Sequence, residues 1–309
     1  MLRRACRAQG DRDYGSGRAP GWLVAVSDRL ARLGGVVLGV PDPPKTGSFL
    51  RECIGFAVCA DGERITASCA GDYGPRGQVA IELRAAPELR LLEVTWEVSD
   101  AYDFEALAGR LAEREVQAAR IETGLSFPDV AGNPLACVRA NSRESASPAD
   151  DPLRPRRLGH VNLKAPDPRA TAAFYMEVLG MRLSEQIGEN LYFLRVATEH
   201  HNVGVRSGEH AALHHLGLEI DGWNLYQPIL DRLAAFDIKV EYGPGRHRPG
   251  NNLFAYVCDP SSGLRLELFA DMAHIPDESV HLPQRWEAGE RLTTTINRWG
   301  PTPPPSFLE

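Results

Sequence analysis

The chain repeats itself, and this limits the folds open to it more than any other feature. Residues 33–56, LGGVVLGVPDPPKTGSFLRECIGF, align without a gap to residues 158–181, LGHVNLKAPDPRATAAFYMEVLGM. Eleven of the 24 positions are identical, among them Leu33/Leu158, Pro41/Pro166, Asp42/Asp167, Pro43/Pro168, Phe49/Phe174 and Gly55/Gly180. The repeated unit has a readable physics. Residues 158–165 read as a strand, Asp167 as a helix N-cap and Pro168 as the first helical residue. Ala170, Ala173, Phe174 and Val178 predict one helical face, and Gly180 a C-terminal stop. Strands at 182–187, 190–197 and 201–206 complete a β-α-β-β-β unit.

A second unit follows in each half. LHHLGLEI (213–220) reads as a strand, and Tyr226, Ile229, Leu230 and Leu233 have helical spacing. Strands near 239–242, 252–258 and 264–270 finish it. In the first half, LLEVTWEV (91–98) and then Phe104, Leu107, Ala108 and Leu111 follow the same scheme. The expectation is an α+β protein with four β-α-β-β-β units in two domains, 30–140 and 157–275. Residues 1–29 form an N-terminal extension. The polar, Pro-rich stretch 141–156 is a linker, and the Pro-rich tail 276–309 wraps the surface.

Bulk composition narrows the function. Hydrophobic residues make up 43% and the net charge is -7, which suits a globular protein and no nucleic-acid partner. The Arg-rich stretches 1–12 and 154–157 read as solvated charge at flexible places. None of the six cysteines forms a CxxC pair, so they read as reduced, mostly buried thiols of a cytoplasmic protein. No apolar run approaches the length that crosses a membrane, and the basic N-terminus lacks the apolar core of a signal peptide.

Paired units with HVNL (160–163) opening the second half, together with GRHRPGNNLFAYVCDPSSGLRLELF (245–269), resemble the vicinal oxygen chelate superfamily. Within it, the two-domain type I extradiol ring-cleavage dioxygenases fit best, over about residues 30–275. That family's signature has a His, a Tyr, Asp-Pro, Gly and a Glu ligand, here His247, Tyr256, Asp259, Pro260, Gly263 and Glu267. Two departures stand out. DPSSG has one residue more than the usual turn, on which the register of Glu267 depends, and Ala255 replaces a larger aliphatic.

The resemblance implies two domains, each a half-open β-barrel of two paired modules. It implies a mononuclear Fe(II) site, or alternatively Mn(II), held by His160, His215 and Glu267, which lie 55 and 52 residues apart in sequence. Two His and one carboxylate on one face leave open positions for a catechol-type aromatic diol and for O2. His214 is the rival to His215, because only one of two strand neighbours is expected to face inward; the family pattern selects the second. On strand 264–270, alternation puts Leu264, Leu266 and Leu268 on one face and Arg265, Glu267 and Phe269 on the other. His201 is the implied acid–base residue, with His200 either exposed or a helper. His247 and Tyr256 are the implied partners of the substrate hydroxyls, and Asn251 and Asn252 help to position or bind. The Gly- and Pro-rich loop around His247 reads as a substrate-facing lid. In the first domain Gly35, Glu93 and Ala136 stand where His160, His215 and Glu267 stand, so that domain is expected to be structural. The implied activity is extradiol cleavage of the ring beside the two hydroxyls, in a homo-oligomer. The alternatives are a metal-dependent isomerase or lyase, or a non-catalytic small-molecule binding protein of the same superfamily.

Overall fold

The computed structural model describes residues 30–70, 78–139, 151–287 and 295–308. The extension 1–29, with its Arg-rich start and Cys6, and most of the 141–156 linker lie outside these residues. Four β-α-β-β-β units follow one another. The first is β1 (Leu30–Val40), α1 (Pro43–Phe49) with one π-helical turn, β2 (Ala57–Asp61), β3 (Arg64–Cys69) and β4 (Gln78–Ala85). The second is β5 (Arg90–Val98), α2 (Phe104–Ala112), β6 (Ala119–Ile121), β7 (Gly124–Pro128) and β8 (Pro134–Arg139). The third is β9 (Arg157–Ala165), α3 (Pro168–Glu177), β10 (Arg182–Ile187), β11 (Leu191–Arg195) and β12 (Val203–Ser207). The fourth is β13 (Ala212–Glu219), α4 (Tyr226–Ala235), β14 (Val240–Arg246), β15 (Leu253–Cys258) and β16 (Arg265–Ala270). A short β17 (Gln284–Trp286) and α5 (Pro305–Leu308) come last.

The units pair within each half. The first sheet runs β2-β3-β4-β1-β5-β8-β7-β6 and the second β14-β15-β16-β13-β9-β12-β11-β10-β17. In both, the first strands of the two units meet antiparallel at the centre, and each pairs in parallel with the last strand of its own unit. The sheet edges are not joined to each other, so each sheet curves without closing.

The repeated helix starts as the side chains dictate. Asp167 accepts from Ala170 N at 2.9 Å and Asp42 from Lys45 N at 3.0 Å, each just before a proline in the first turn. Gly180 and Gly55 exit the helices at φ 70° and 91°, a region that a side chain disfavours. The buried face of α3 is Pro168, Thr171, Ala172, Phe174 and Tyr175; Ala170, expected inside, is exposed. The helix is turned so that the two aromatic rings fill the space against the sheet. Leu264, Leu266 and Leu268 pack into the core as alternation predicts, which turns Glu267 to the concave face.

The Arg-rich stretch 154–157, expected as solvated charge, is instead largely buried. Arg154 and Arg157 are buried, and Arg157 is paired with Glu219 and with Glu199 at 3.0 Å. Asp151, at the end of the linker, pairs with Arg232 at 2.7 Å. The two halves are also tied by Thr46 Oγ1, which donates to Asp259 at 2.7 Å, and by Tyr175 OH, which donates to Asp129 at 3.2 Å. Among the described residues the cysteines are unpaired, and no helix is long and apolar enough to cross a membrane.

Candidate metal centre and active-site cavity

Three strands of the second sheet bring His160 (β9), His215 (β13) and Glu267 (β16) to one point. Gly217 stands opposite both His160 and Glu267 in the strand register. A Cβ at Gly217 would lie 2.1 Å from His160 Cε1, so glycine there makes room for the imidazole. His160 Nε2 lies 3.3 Å from His215 Nε2 and 3.0 Å from Glu267 Oε2, and His215 Nε2 lies 3.1 Å from the same oxygen. All three side chains are buried. Donors bound at roughly 2.0–2.2 Å to one ion and at right angles stand about 3 Å apart, so this set fits one facially bound divalent metal. Two imidazole nitrogens and a carboxylate oxygen converging at this spacing also suit a shared cation.

Adjacent groups orient these donors. Asn252 Nδ2 donates to Glu267 Oε1 at 2.9 Å, and Tyr256 OH donates to Oε2 at 2.8 Å. Burial alone would raise the Glu267 pKa, but His160 and the surrounding donors hold it well below 4.5. The His215 pKa is pushed from 6.5 to about 4, chiefly by burial, with Glu267 opposing. A neutral His215 and an ionised Glu267 are the protonation states a metal requires.

His214 and His215 depart from simple strand alternation. Leu213 pairs with Leu163 and His215 with Asn162, so His214 is the extra residue of a β-bulge. Both rings therefore line the same cavity. The expectation that only one of the two faces inward is overturned, because the bulge breaks the two-residue period. His214 Nδ1 lies 2.7 Å from His215 Nδ1, and its Nε2 lies 2.9 Å from the Phe307 carbonyl oxygen. It is His215 that faces His160 and Glu267.

The other expected residues gather around a cavity of about 400 Å³. His201, His247 and Tyr256 line it with His215 and Glu267. His201 sits in the turn before β12, not on a strand. Its ring is 4.5 Å from that of His160, and its Nδ1 lies 2.9 Å from His200 Nδ1, which leaves Nε2 to face outward from the pair. Burial, then the charge of His160, holds its pKa well below 6.5. His247 Nδ1 donates to the Ile296 carbonyl, and Nε2 lies 3.1 Å from Tyr256 OH. Burial and the Glu267 charge keep the Tyr256 pKa well above 10, so it remains a phenol that donates. Asn252 points at Glu267 and is not part of the cavity wall. Asn251 bonds Arg246 and Arg298 instead. The loop expected around His247 is in part strand, since β14 runs to Arg246 before a short turn at Pro249–Asn251.

Sequence reasoning missed part of the wall. Asn162, Phe193 and Arg206 line the cavity, and so do Ile296, Phe307 and Leu308 from the tail. The tail was expected to wrap the surface; its end instead packs Phe307 against Tyr256 and His214, with ring centroids 4.5 and 5.0 Å away. The one available signal was an aromatic–aliphatic pair after a proline run in an otherwise polar tail.

The long DPSSG turn does not disturb the site. Asp259 accepts from Ser261 N and from both serine hydroxyls, so the added residue is absorbed by the carboxylate. Tyr256 still pairs with Glu267 across β15 and β16.

Registers in the first sheet place Gly35 opposite Thr95, and Thr95 opposite Ala136, where the second sheet has His160, Gly217 and Glu267. Glu93 takes the place of His215. Among the described residues, His160, His215 and Glu267 are the group of His, Cys, Asp and Glu side chains able to hold a metal.

Residues 157–268 match the model of the Glyoxalase/Bleomycin resistance protein/Dioxygenase superfamily. A manganese-dependent 2,3-dihydroxybiphenyl 1,2-dioxygenase from Geobacillus genomosp. 3 is 26% identical, covering 84% of this chain and 91% of that protein. Metapyrocatechase 2 from Cupriavidus necator is 31% identical, but over 50% of this chain and 47% of that protein. Among solved structures, homoprotocatechuate 2,3-dioxygenase from Arthrobacter globiformis matches with a TM-score of 0.80 at 21% identity, covering 90% of both chains. The Mn(II)-bound glyoxalase from Novosphingobium aromaticivorans matches with a TM-score of 0.79 at 21% identity, covering 91% of this chain and 94% of that one. At such identity these likenesses show the α+β fold of paired β-α-β-β-β units.

Proposed function

We propose that this chain is an extradiol ring-cleavage dioxygenase acting on a catechol-type aromatic diol with O2. Its metal, Fe(II) or Mn(II), is held by His160, His215 and Glu267. The observation that carries this reading is the convergence of three buried donors about 3 Å apart on a cavity that His201, His247 and Tyr256 also line. Relatives named as manganese- and iron-dependent ring-cleaving enzymes support it. Residues 157–275 are the catalytic domain in this proposal. Residues 30–140, with Gly35, Glu93 and Ala136 at the matching places, serve packing and assembly into a homo-oligomer. The unpaired described cysteines suit a cytoplasmic location.

A metal held by His160, His215 and Glu267 would supply a positive centre that brings diol and O2 together, which would remove much of the entropic barrier. The protein's own groups handle protons and orientation. His201 is neutral near pH 7 and faces the cavity with one nitrogen, so it takes a proton from a substrate hydroxyl and returns it later to an oxygen. His247 is fixed by the Ile296 carbonyl and steers its Nε2 to the Tyr256 hydroxyl, beside the second diol oxygen. Tyr256 stays protonated, and its single O–H, which donates to Glu267 in the free site, turns to a diol oxygen when substrate binds. Apolar side chains such as Ile187, Leu191, Phe193 and Phe307 exclude water.

The isomerase or lyase alternative lacks this support, because such chemistry has no need of the His201, His247 and Tyr256 set. The test is anaerobic loading with iron or manganese, addition of a panel of catechols, and then air. A yellow ring-fission product is expected. No such product from any catechol, with metal bound stoichiometrically, removes the proposal.

A further inference from the structure

Arg206 on β12 lines the cavity that also receives His201, His215 and Tyr256. It is half-buried, and among the described residues no carboxylate pairs with it. Its guanidinium rests against His214 Nε2 at 2.5 Å. That nitrogen also faces the Phe307 carbonyl oxygen, which can only accept. The contact with His214 sets an imidazole, and no anion, against the guanidinium.

The internal repeat provides a control. Strand register pairs Val37 with Glu82 and Gly39 with Arg84 between β1 and β4. The equivalent pairs between β9 and β12 are Asn162 with Gly204 and Lys164 with Arg206. Arg84 is thus the counterpart of Arg206, and Glu82 of Gly204. In the first sheet Arg84 is satisfied by Glu82 at 2.8 Å. In the second sheet the carboxylate is replaced by Gly204, where an added Cβ would stand 2.4 Å from Asn162 Nδ2. The arginine keeps its place and loses its partner only in the half that carries the metal site.

A partly buried cation is unfavourable until an anion meets it, and the planar guanidinium matches a carboxylate with two parallel hydrogen bonds. Ser207 and Asn190 line the same cavity, bonded to each other at 3.2 Å, and add polar groups beside Arg206.

We propose that the diol cleaved here carries a carboxylate on a short side arm, and that Arg206 binds this carboxylate and sets substrate preference. The proposal rests on the ring-cleavage reading for the word "cleaved", and on Arg206 alone for the charge.

The experiment compares vicinal dihydroxyphenylacetates with their neutral methyl esters on metal-loaded protein, for the wild type, Arg206→Met and Arg206→Lys. The acid is expected to exceed the ester in kcat/KM by roughly 10- to 100-fold, mainly through KM. Arg206→Met brings the acid down to the ester, and Arg206→Lys restores part of the difference. Equal values for acid and ester in the wild type, or an unchanged preference in Arg206→Met, overturns the proposal. Calorimetry with 4-hydroxyphenylacetate and its amide reads binding without ring cleavage. Charge-dependent binding lost in Arg206→Met, with no catechol cleaved, upholds the anion site and removes only the dioxygenase reading. Cleavage of neutral catechols with no charge preference does the reverse.

Discussion

His214 and His215, neighbours in sequence, face each other through Nδ1 atoms 2.7 Å apart on the same side of a strand. The bulge at His214 makes this possible, and the pair is anchored beyond by the carbonyl of Phe307. A proton shared between the two Nδ1 atoms would leave Nε2 of His215 free to bind metal. The tail of the chain thereby reaches the metal site through a single imidazole.

His214→Ala removes that orientation without removing a proposed ligand. Losing the hydrogen-bond partner of a ligating histidine typically weakens metal affinity by about 10- to 100-fold. Chelator competition followed by metal analysis reads this directly, and an unchanged affinity would show that the His214–His215 contact does not matter. The direct comparison is Glu267→Ala or His160→Ala, where stoichiometric retention of metal sinks the assigned site.

Gly217 is as demanding as a ligand although it carries no side chain. A methyl group there would lie 2.1–2.4 Å from three atoms of the His160 ring, which is fully buried and has nowhere to retreat. Gly217→Ala should fold with its metal site broken. The expected outcome is loss of bound metal with near-wild-type far-ultraviolet circular dichroism.

Removing a proton-handling group should slow turnover while metal stays bound. His201→Asn is expected to lower kcat by roughly 10²- to 10⁴-fold. Tyr256→Phe removes one hydrogen bond to Glu267 and is expected to cost about 10- to 100-fold. Single-turnover formation of the ring-fission product, normalised to metal content, measures both. Full activity in His201→Asn would remove the acid–base role.

The His215 pKa, depressed from 6.5 to about 4, makes the metal-free fold sensitive to acid. Between those values the unfolded chain binds a proton at this position that the folded chain does not. Stability contributed by this group is therefore present above about 6.5 and lost as pH falls towards 4. The urea midpoint of the metal-free protein should drop across that window, and Glu267, with its pKa held well below 4.5, adds to the loss at the acid end. A midpoint that does not move between these pH values contradicts the burial of neutral His215.

The repeat of 33–56 at 158–181 determined the architecture, because each unit's cap, helix and strand periods are local and recur in register. Asp167, Pro168 and Gly180 act within a few residues of themselves, so their roles were legible. The positions of His160, His215, Glu267, His201, His247 and Tyr256 were legible through family resemblance, and alternation correctly put the leucines of β16 in the core. Only the tertiary structure decided the rest. Whether His214 faces inward depends on a bulge, which exists only when β13 is paired against β9. That Arg206 lacks an anion while Arg84 has one depends on which residues the strand register sets side by side. That Phe307 and Leu308 close the cavity depends on a tail returning about ninety residues along the chain to His214. Local propensities act over one turn or one strand; contacts of this range are set by pairing and packing, which sequence periodicity does not encode.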